Sequence, residues 1–268
     1  MNGTMPETVR EALTAGDPIV FVSPHLDDAV LSCGALLKVL ADACPVVVAT
    51  VFTAADEPPH TYAARGFLRE CAAGDASALF DARRQEDLEV LAEIGVGALH
   101  LGFPDALFRR RRMSGAVGAV AGRMLPELAH RYPTYRYDIA RGRVARGDRP
   151  MIAAVGAAVA AAVADTGARL VFCPLGTGRH VDHLIARGTG AQFGRRTVYF
   201  SDFPYDQSAA ADSIFLSRHG LEPWRWNQSI ADKERLIHGY RTQVAGLFPD
   251  LVVPRSPETY WVAGRRRP

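Results

Sequence analysis

The sequence predicts an α/β fold: a Rossmann-like, largely parallel β-sheet flanked by helices, with long loops over one edge. Three observations carry that expectation. Short β-branched and aromatic runs alternate with longer helical patterns along the chain, the order that builds parallel sheets through crossover helices. The first run, Pro18-Ile19-Val20-Phe21-Val22, is apolar throughout and closed by Ser23-Pro24, as a strand buried on both faces would be. Two clusters of histidine and aspartate, His25-Leu26-Asp27-Asp28 and His180-Val181-Asp182-His183, each follow such a run. Reactive groups gather beyond the carboxyl ends of strands in sheets of this kind.

In chain order, the strand at 18–23 leads into a helix at 28–42, where Val30, Leu31, Leu36, Leu37, Val39 and Leu40 recur at mostly helical spacing. A second strand-like run lies at 45–52, a helix at 80–94 and a third run at 98–102. The helix at 150–166 is alanine-rich, which favours a helix packed closely against a sheet. Its apolar part, Met151 to Ala164, stops at Asp165, short of the roughly 20 residues a membrane span needs. Arg169-Leu170-Val171-Phe172-Cys173-Pro174 reads as another buried strand and passes through the loop Leu175–Arg179 to a helix at 181–191. A strand at 197–201 and a helix at 229–246 complete the alternation. Two segments break it: 54–79, with Pro58-Pro59, Gly66 and Gly74, and 103–149, rich in arginine, tyrosine, proline and glycine. Long loops in compact domains are usually functional or disordered, and both follow strands aimed at the motif-bearing edge, so they are expected to form a pocket rim.

With 268 residues and 48% apolar content, the chain can bury a large core, and a single domain over 1–268 is expected. The net charge of +2 and pI near 8.4 argue against a nucleic-acid partner, which needs many phosphate contacts. Cys33, Cys44, Cys71 and Cys173 have no CxxC spacing, so neither a disulfide framework nor a thiolate metal site is implied. Residues 1–17 lack the basic-then-apolar layout of a signal peptide, and a cytoplasmic protein with a small-molecule substrate and no membrane span is expected. Assembly state is not encoded in any recognisable pattern.

Asp27 and Asp28 fall at the start of a helix, where the dipole stabilises an anionic carboxylate by about 0.3–1 kcal/mol. Metal ligation and general-base chemistry both need that form, and an N-cap aspartate satisfies the same geometry without chemistry. Two adjacent aspartates with a histidine close before them exceed what capping requires. At the second cluster, a helix beginning near His180 puts His180 and His183 on one face, with Asp182 able to engage an imidazole or cap the turn. Together the clusters point to a mononuclear metal hydrolase site.

Pro24-His25-Leu26-Asp27-Asp28 followed by His180-Val181-Asp182-His183 resembles the PIG-L/LmbE-like zinc amidohydrolases, which include sugar N-deacetylases of glycolipid, thiol-cofactor and antibiotic pathways. The resemblance continues through Ala82-Arg83-Arg84-Gln85-Glu86 and Leu101-Gly102-Phe103-Pro104-Asp105. It extends to Ser201-Asp202-Phe203-Pro204-Tyr205 and to Asp232 through Gln243. It implies one zinc ion held by His25, Asp28 and His183, with an open fourth position. It further implies Asp27 as the base that deprotonates the attacking water, and His180 as the group that stabilises the oxyanion and protonates the leaving amine, charged through Asp182. Arg83, Asp105 and Tyr205 match positions facing the family's pocket. Each also has a structural reading: Arg83 paired with Glu86 or Asp87 on its own helix, and Tyr205 as packing.

The chain departs from the family pattern at three places. Leu26 replaces a frequent proline, Ala29 an aspartate-following glutamate, and Gly178 stands where some members carry a tyrosine that helps polarise the carbonyl. The arginines at 109–112 and at 131, 136, 141, 143, 146 and 149 could attract a phosphate or an acidic carrier protein, or form a solvated face. Arg265-Arg266-Arg267 reads as a frayed tail. The function the resemblance implies is removal of an N-acyl group, most simply acetyl, from an amino sugar or related small metabolite, with specialised-metabolite biosynthesis as the expected setting. The alternative is a catalytically inactive metal- or ligand-binding module on the same scaffold. A nucleotide-cofactor enzyme is disfavoured, since PHLDD follows the first strand in place of a glycine-rich phosphate loop.

Overall fold

The computed structural model describes residues 5–111 and 124–264. Seven strands form one sheet in the order β3-β2-β1-β4-β5-β7-β6. They are β1 (Ile19–Ser23), β2 (Val46–Ala54), β3 (Gly97–Pro104), β4 (Leu170–Pro174), β5 (Thr197–Phe200), β6 (Leu221–Trp226) and β7 (Glu258–Ala263). The first five run parallel, while β7 is antiparallel to both β5 and β6. Nine helices are labelled here: α1 (Glu7–Ala15), α2 (Asp28–Ala41), α3 (Tyr62–Glu70), α4 (Ala76–Glu93), α5 (Arg149–Thr166), α6 (Val181–Thr189), α7 (Ser213–His219), α8 (Ile230–Ile237) and α9 (Arg241–Leu247).

From β1 the chain builds outward to β2 and β3, then returns to lay β4 on the other side of β1. A topological switch point of this kind opens a crevice beyond the strand ends, and both histidine-aspartate motifs fall there. Alternate residues of β1 serve two cores. Ile19 and Phe21 pack with α2, α4 and α8, and Phe21 stacks on Phe172 at 4.1 Å between ring centroids. Val20 and Val22 face the opposite side, where Val155, Val159, Ala162 and Val163 of α5 join Ile185 and Ala186 of α6. Residues 146–166 are long and apolar enough to cross a membrane by composition; in the fold the valines at 155, 159 and 163 are packed under the sheet.

A third apolar cluster roofs the carboxyl edge, joining Leu26 and Val181 of the two motifs to Leu68, Leu79, Phe80, Leu107, Phe108, Tyr132 and Ile139. Within the described residues the segments expected as loops are therefore structured and packed, while residues 112–123 of the second lie outside the described residues. Residues 54–79 contain α3, whose N-cap Thr61 accepts the Ala64 N–H, and the start of α4, capped by Asp75. That cap starts α4 four residues before the expected position 80.

The expected helix at 229–246 is two helices. A Cβ at Gly239 would stand 2.4 Å from Val90 Cγ2, so the chain passes too close to α4 for a continuous helix with a side chain there. The second helix restarts against Glu86, which accepts the N–H and hydroxyl of Thr242. The strands β6 and β7 and the helices α1 and α7 were not foreseen. Pro223 in β6 removes a ladder donor, which is tolerated because β6 is the edge strand.

Candidate active site

The crevice beyond β1 and β4 is a cleft of about 390 Å³ lined by His25, Asp27, Asp28, Asp105, His180 and His183, with Phe67, Arg83, Tyr135, Tyr205 and Arg241 on its walls. All nine site residues expected from sequence except Asp182 line it, and Asp182 lies immediately behind, fully buried.

The first motif is held without help from its aspartates as caps. Ser23 Oγ accepts the Ala29 N–H at 3.0 Å, and Asp27, at the N-cap position of α2, makes no side-chain capping bond. The reading of Asp27 as a plain helix cap therefore fails. Asp28 turns back to accept the His25 backbone N–H at 2.9 Å, and its Oδ2 stands 3.0 Å from His25 Nδ1 and 3.3 Å from His183 Nε2. Each imidazole is backed by a carboxylate on its other nitrogen. His183 Nδ1–H donates to Asp202 at 2.7 Å, and His25 Nε2 lies 3.4 Å from both Asp182 and Asp105.

The donor atoms of His25, Asp28 and His183 lie within 4.8 Å of one another, as do those of His25, His180 and Asp182. Donors about 2.0–2.2 Å from a tetrahedral ion stand about 3.3–3.6 Å apart, close to the spacing of the first set. The second set is less available, because Asp182 already accepts from Arg109 at 2.5 Å and from the Ala106 N–H at 2.8 Å. The electrostatics also suit a cation. Burial opposes charge on His183, yet Asp28 and Asp202 outweigh it and lift its pKa to about 10. His25 is raised well above the ordinary range against burial, by Asp182 and Asp28. The carboxylates thus call for positive charge at this point, which protons on imidazole supply when a divalent ion does not.

Asp27 behaves differently from its neighbour. Burial, then the charge of Asp28, pushes its pKa up to about 7, while His183 and His25 hold Asp28 well below the carboxylate range against its burial. Environments that drive two adjacent carboxyls apart separate a ligand-like anion from a proton acceptor.

His180 departs from expectation. Its Nδ1 accepts the Asp182 backbone N–H at 3.3 Å, which places the ring proton on Nε2. Burial and the neighbouring imidazoles His25 and His183 hold its pKa well below the usual value. The Asp182 carboxylate, which faces Arg109, Ala106 and His25, favours charge on His180 but is outweighed.

Among the weaker candidates, Arg83 does not pair on its own helix. Glu86 is taken by Thr242, and Asp87 by His100 and Tyr240. The Arg83 guanidinium lies over Phe67 at 5.1 Å and turns to the cleft. Asp105 caps the Leu107 N–H as well as facing His25. Tyr205 stands edge-on to His183 and shares the cleft wall with Tyr135, whose ring is 6.0 Å from His180. Gly178 is bare because a Cβ there would meet the Tyr205 ring at 2.8 Å, and its φ of +81° suits glycine.

The arginine-rich segment divides: Arg109, Arg110, Arg111 and Arg131 fasten the fold internally, Arg141, Arg143, Arg146 and Arg149 are exposed, as a solvated face would be, and the Arg136 side chain lies outside the described residues. Arg109 is buried, the Arg110 side chain binds the carbonyls of Glu57 and Pro58 while its N–H donates to Asp56, and Arg111 binds the His130 carbonyl. Arg112 and the Arg265–Arg267 tail lie outside the described residues. The four cysteines are free. Sequence reasoning missed Asp202 and Arg109 as members of the site. Asp202 carried a signal, standing just past β5 at the same edge as the motifs.

Comparison with known proteins places this geometry. Residues 20–193 match the PIG-L family, GlcNAc-PI de-N-acetylase. The chain is 30% identical over 227 residues to a 2'-N-acetylparomamine deacetylase of Streptomyces fradiae, covering 81% of this chain and 68% of that protein. It is 25% identical to the protein of the same name from Niallia circulans, over 85% and 82%. In fold it is similar to the zinc-inhibited form of teicoplanin deacetylase Orf2, with a TM-score of 0.72 at 20% identity over 91% of this chain and 97% of that one. It is also similar to the A40926 pseudoaglycone deacetylase Dbv21, at 0.63 and 23% over 91% and 96%.

Proposed function

The chain belongs to the PIG-L family of GlcNAc-PI de-N-acetylases, and from that membership we propose that it removes the N-acetyl group of an amino sugar in specialised-metabolite biosynthesis, with one zinc ion held by His25, Asp28 and His183. The reading rests on one observation: Asp27, Asp28, His25, His180 and His183 converge from the ends of β1 and β4 on a single cleft. The paromamine-type relatives support an amino-sugar amide as the substrate. Residues 1–268 would act as one domain, with the packed insertions as the pocket rim.

When bound, zinc supplies Lewis-acid polarisation of the acyl carbonyl and of the attacking water. Asp27, poised near neutrality by burial, takes the proton from that water and returns it to the amine nitrogen as the C–N bond breaks. His180, whose Nδ1 accepts a backbone N–H so that Nε2 carries the ring proton, donates to the oxygen that gains charge in the transition state. Proton return is assigned to Asp27 because burial and the His25 and His183 imidazoles disfavour charge on His180. Asp202 and Asp182 orient the two ligand imidazoles. Arg83, Asp105 and Tyr205 line the wall against which the sugar would lie.

The test is acetate release from 2'-N-acetylparomamine and from N-acetylglucosaminyl compounds by zinc-loaded protein. Turnover is expected, together with a fall in kcat of about 10²–10⁴-fold in Asp27→Asn, zinc content being unchanged. Zinc binding with no acetate released from any N-acetyl amino sugar would favour the binding-module alternative.

A further inference from the structure

Behind the candidate metal set lies a buried chain of charges, of which the proposed chemistry uses only Asp182. Arg109, just past the short helical turn Ala106–Phe108, is 3% exposed. Its Nη2 donates to Asp182 Oδ1 at 2.5 Å and its Nη1 to Asp148 Oδ2 at 2.9 Å. Its Nε and Nη2 also donate to the Pro104 carbonyl, at 3.1 and 2.8 Å. The guanidinium lies over Phe52 and Tyr132, at 4.9 and 5.6 Å from the ring centroids.

Asp148 is secured in turn. It accepts the Tyr132 hydroxyl at 2.7 Å and stands 3.3 Å from Arg131, while the Tyr132 oxygen accepts the Ala145 N–H. Three carboxylate and carbonyl acceptors thus meet one planar fork of fixed geometry, which a flexible ammonium cannot reproduce. On its far side Asp182 reaches His25 Nε2 at 3.4 Å. The path runs without a break from Tyr132 through Asp148, Arg109 and Asp182 to His25.

The path joins three stretches of the sequence. Arg109, Tyr132 and Asp148 come from the segment at 103–149, Asp182 from the second motif and His25 from the first. We propose that Arg109, backed by Asp148 and Tyr132, is a positioning residue that fixes Asp182 against His25, so that metal affinity depends on this arginine-rich segment being docked. The proposal rests on the reading of His25, Asp28 and His183 as the metal set. Partners one step removed from a metal commonly govern 10–100-fold in affinity; here the effect would reach one step further, through an ion pair rather than a direct bond to the ligand.

The experiment is zinc affinity by chelator competition on the full chain, beside the visible spectrum of the cobalt-loaded protein, for wild type, Arg109→Lys, Tyr132→Phe and His183→Ala. Arg109→Lys keeps the charge and loses the fork. It is expected to weaken zinc by about 10–100-fold and to shift the cobalt bands, with KM at saturating zinc little changed. Tyr132→Phe removes one hydroxyl from a packed ring, is expected to fold, and should weaken zinc severalfold. Wild-type zinc affinity and cobalt bands in Tyr132→Phe, and in Arg109→Lys where it folds, would overturn the proposal. If the wild type binds no zinc, or His183→Ala binds as well as wild type, the metal-set reading itself falls and the proposal with it.

Discussion

At the scale of single residues, the site is a lesson in what a neighbour does to a carboxyl or an imidazole. Asp27 and Asp28 are adjacent and both buried, yet one is pushed up to about 7 and the other held well down, because only Asp28 meets the two imidazoles directly. His180 and His183 sit three residues apart and differ as sharply. Asp202 stands at His183 Nδ1, whereas His180 receives only a backbone N–H. Two predictions belong here. Asp202→Ala should weaken zinc about 10–100-fold by chelator competition, since His183 loses the acceptor that fixes its tautomer. His180→Ala should lower kcat by about 10²–10³-fold as an oxyanion donor is lost, with zinc content unchanged. Equal kcat in His180→Ala would remove that donor from the mechanism. The motif residues were legible from sequence because three of them fall within four positions and His180 and His183 stand one turn apart. Asp202 and Arg109 were not, because they meet their partners across 19 and 73 positions.

At the scale of elements, the two insertions lock to each other before they cover the site. Tyr62 N–H donates to Glu127, Arg110 reaches Asp56, Glu57 and Pro58, and the rings of His60 and His130 pack 6.4 Å apart. His60 is 8% exposed and His130 fully buried, and Nδ1 of the first and Nε2 of the second have no hydrogen-bond partner. Burial, then mutual repulsion, lowers the His60 pKa; burial, with Arg110 adding to it, lowers that of His130. The unfolded chain therefore takes up these protons first. The contribution to stability is complete above about pH 6.5, the ordinary imidazole value, and is lost as the pH falls through it. Thermal unfolding should show a smaller loss of Tm between pH 7 and 5 in His60→Asn than in wild type; equal losses would show the pair to be silent.

Glu258 is a second fastening, on β7. It accepts the N–H groups of Ala35 and Leu36 and the Tyr260 hydroxyl, and it stands 3.7 Å from buried Lys233. Glu258→Ala leaves that lysine uncompensated and should cost roughly 3–5 kcal/mol in urea unfolding. The parallel strands were readable as apolar runs bounded by turn residues. The antiparallel pair β6 and β7 was not, because Pro223 and the charged residues of an edge strand break the pattern.

At the scale of the whole molecule, the cores on the two sheet faces are apolar and independent of the metal set. Chelation should therefore abolish hydrolysis while leaving far-UV circular dichroism unchanged, and zinc at 100 times its Kd should stabilise the fold by about 2.7 kcal/mol, read as a rise in Tm. Loss of secondary structure on chelation would mean that the ion is structural. The sequence by itself determined the α/β class, the parallel strands that carry the motifs and the cluster His25, Asp27, Asp28, His180 and His183, because apolar periodicity and contiguous polar residues are local properties. Only the tertiary structure decided that Asp27 does not cap its helix, that burial and two neighbouring imidazoles disfavour charge on His180, that Asp202 and Asp182 back the two imidazoles and that Arg109, Arg110, Arg111 and Arg131 are internal fasteners. Those outcomes depend on burial and on charges brought together from distant positions, and neither exists until the sheet has closed its switch point and the insertions have docked over it.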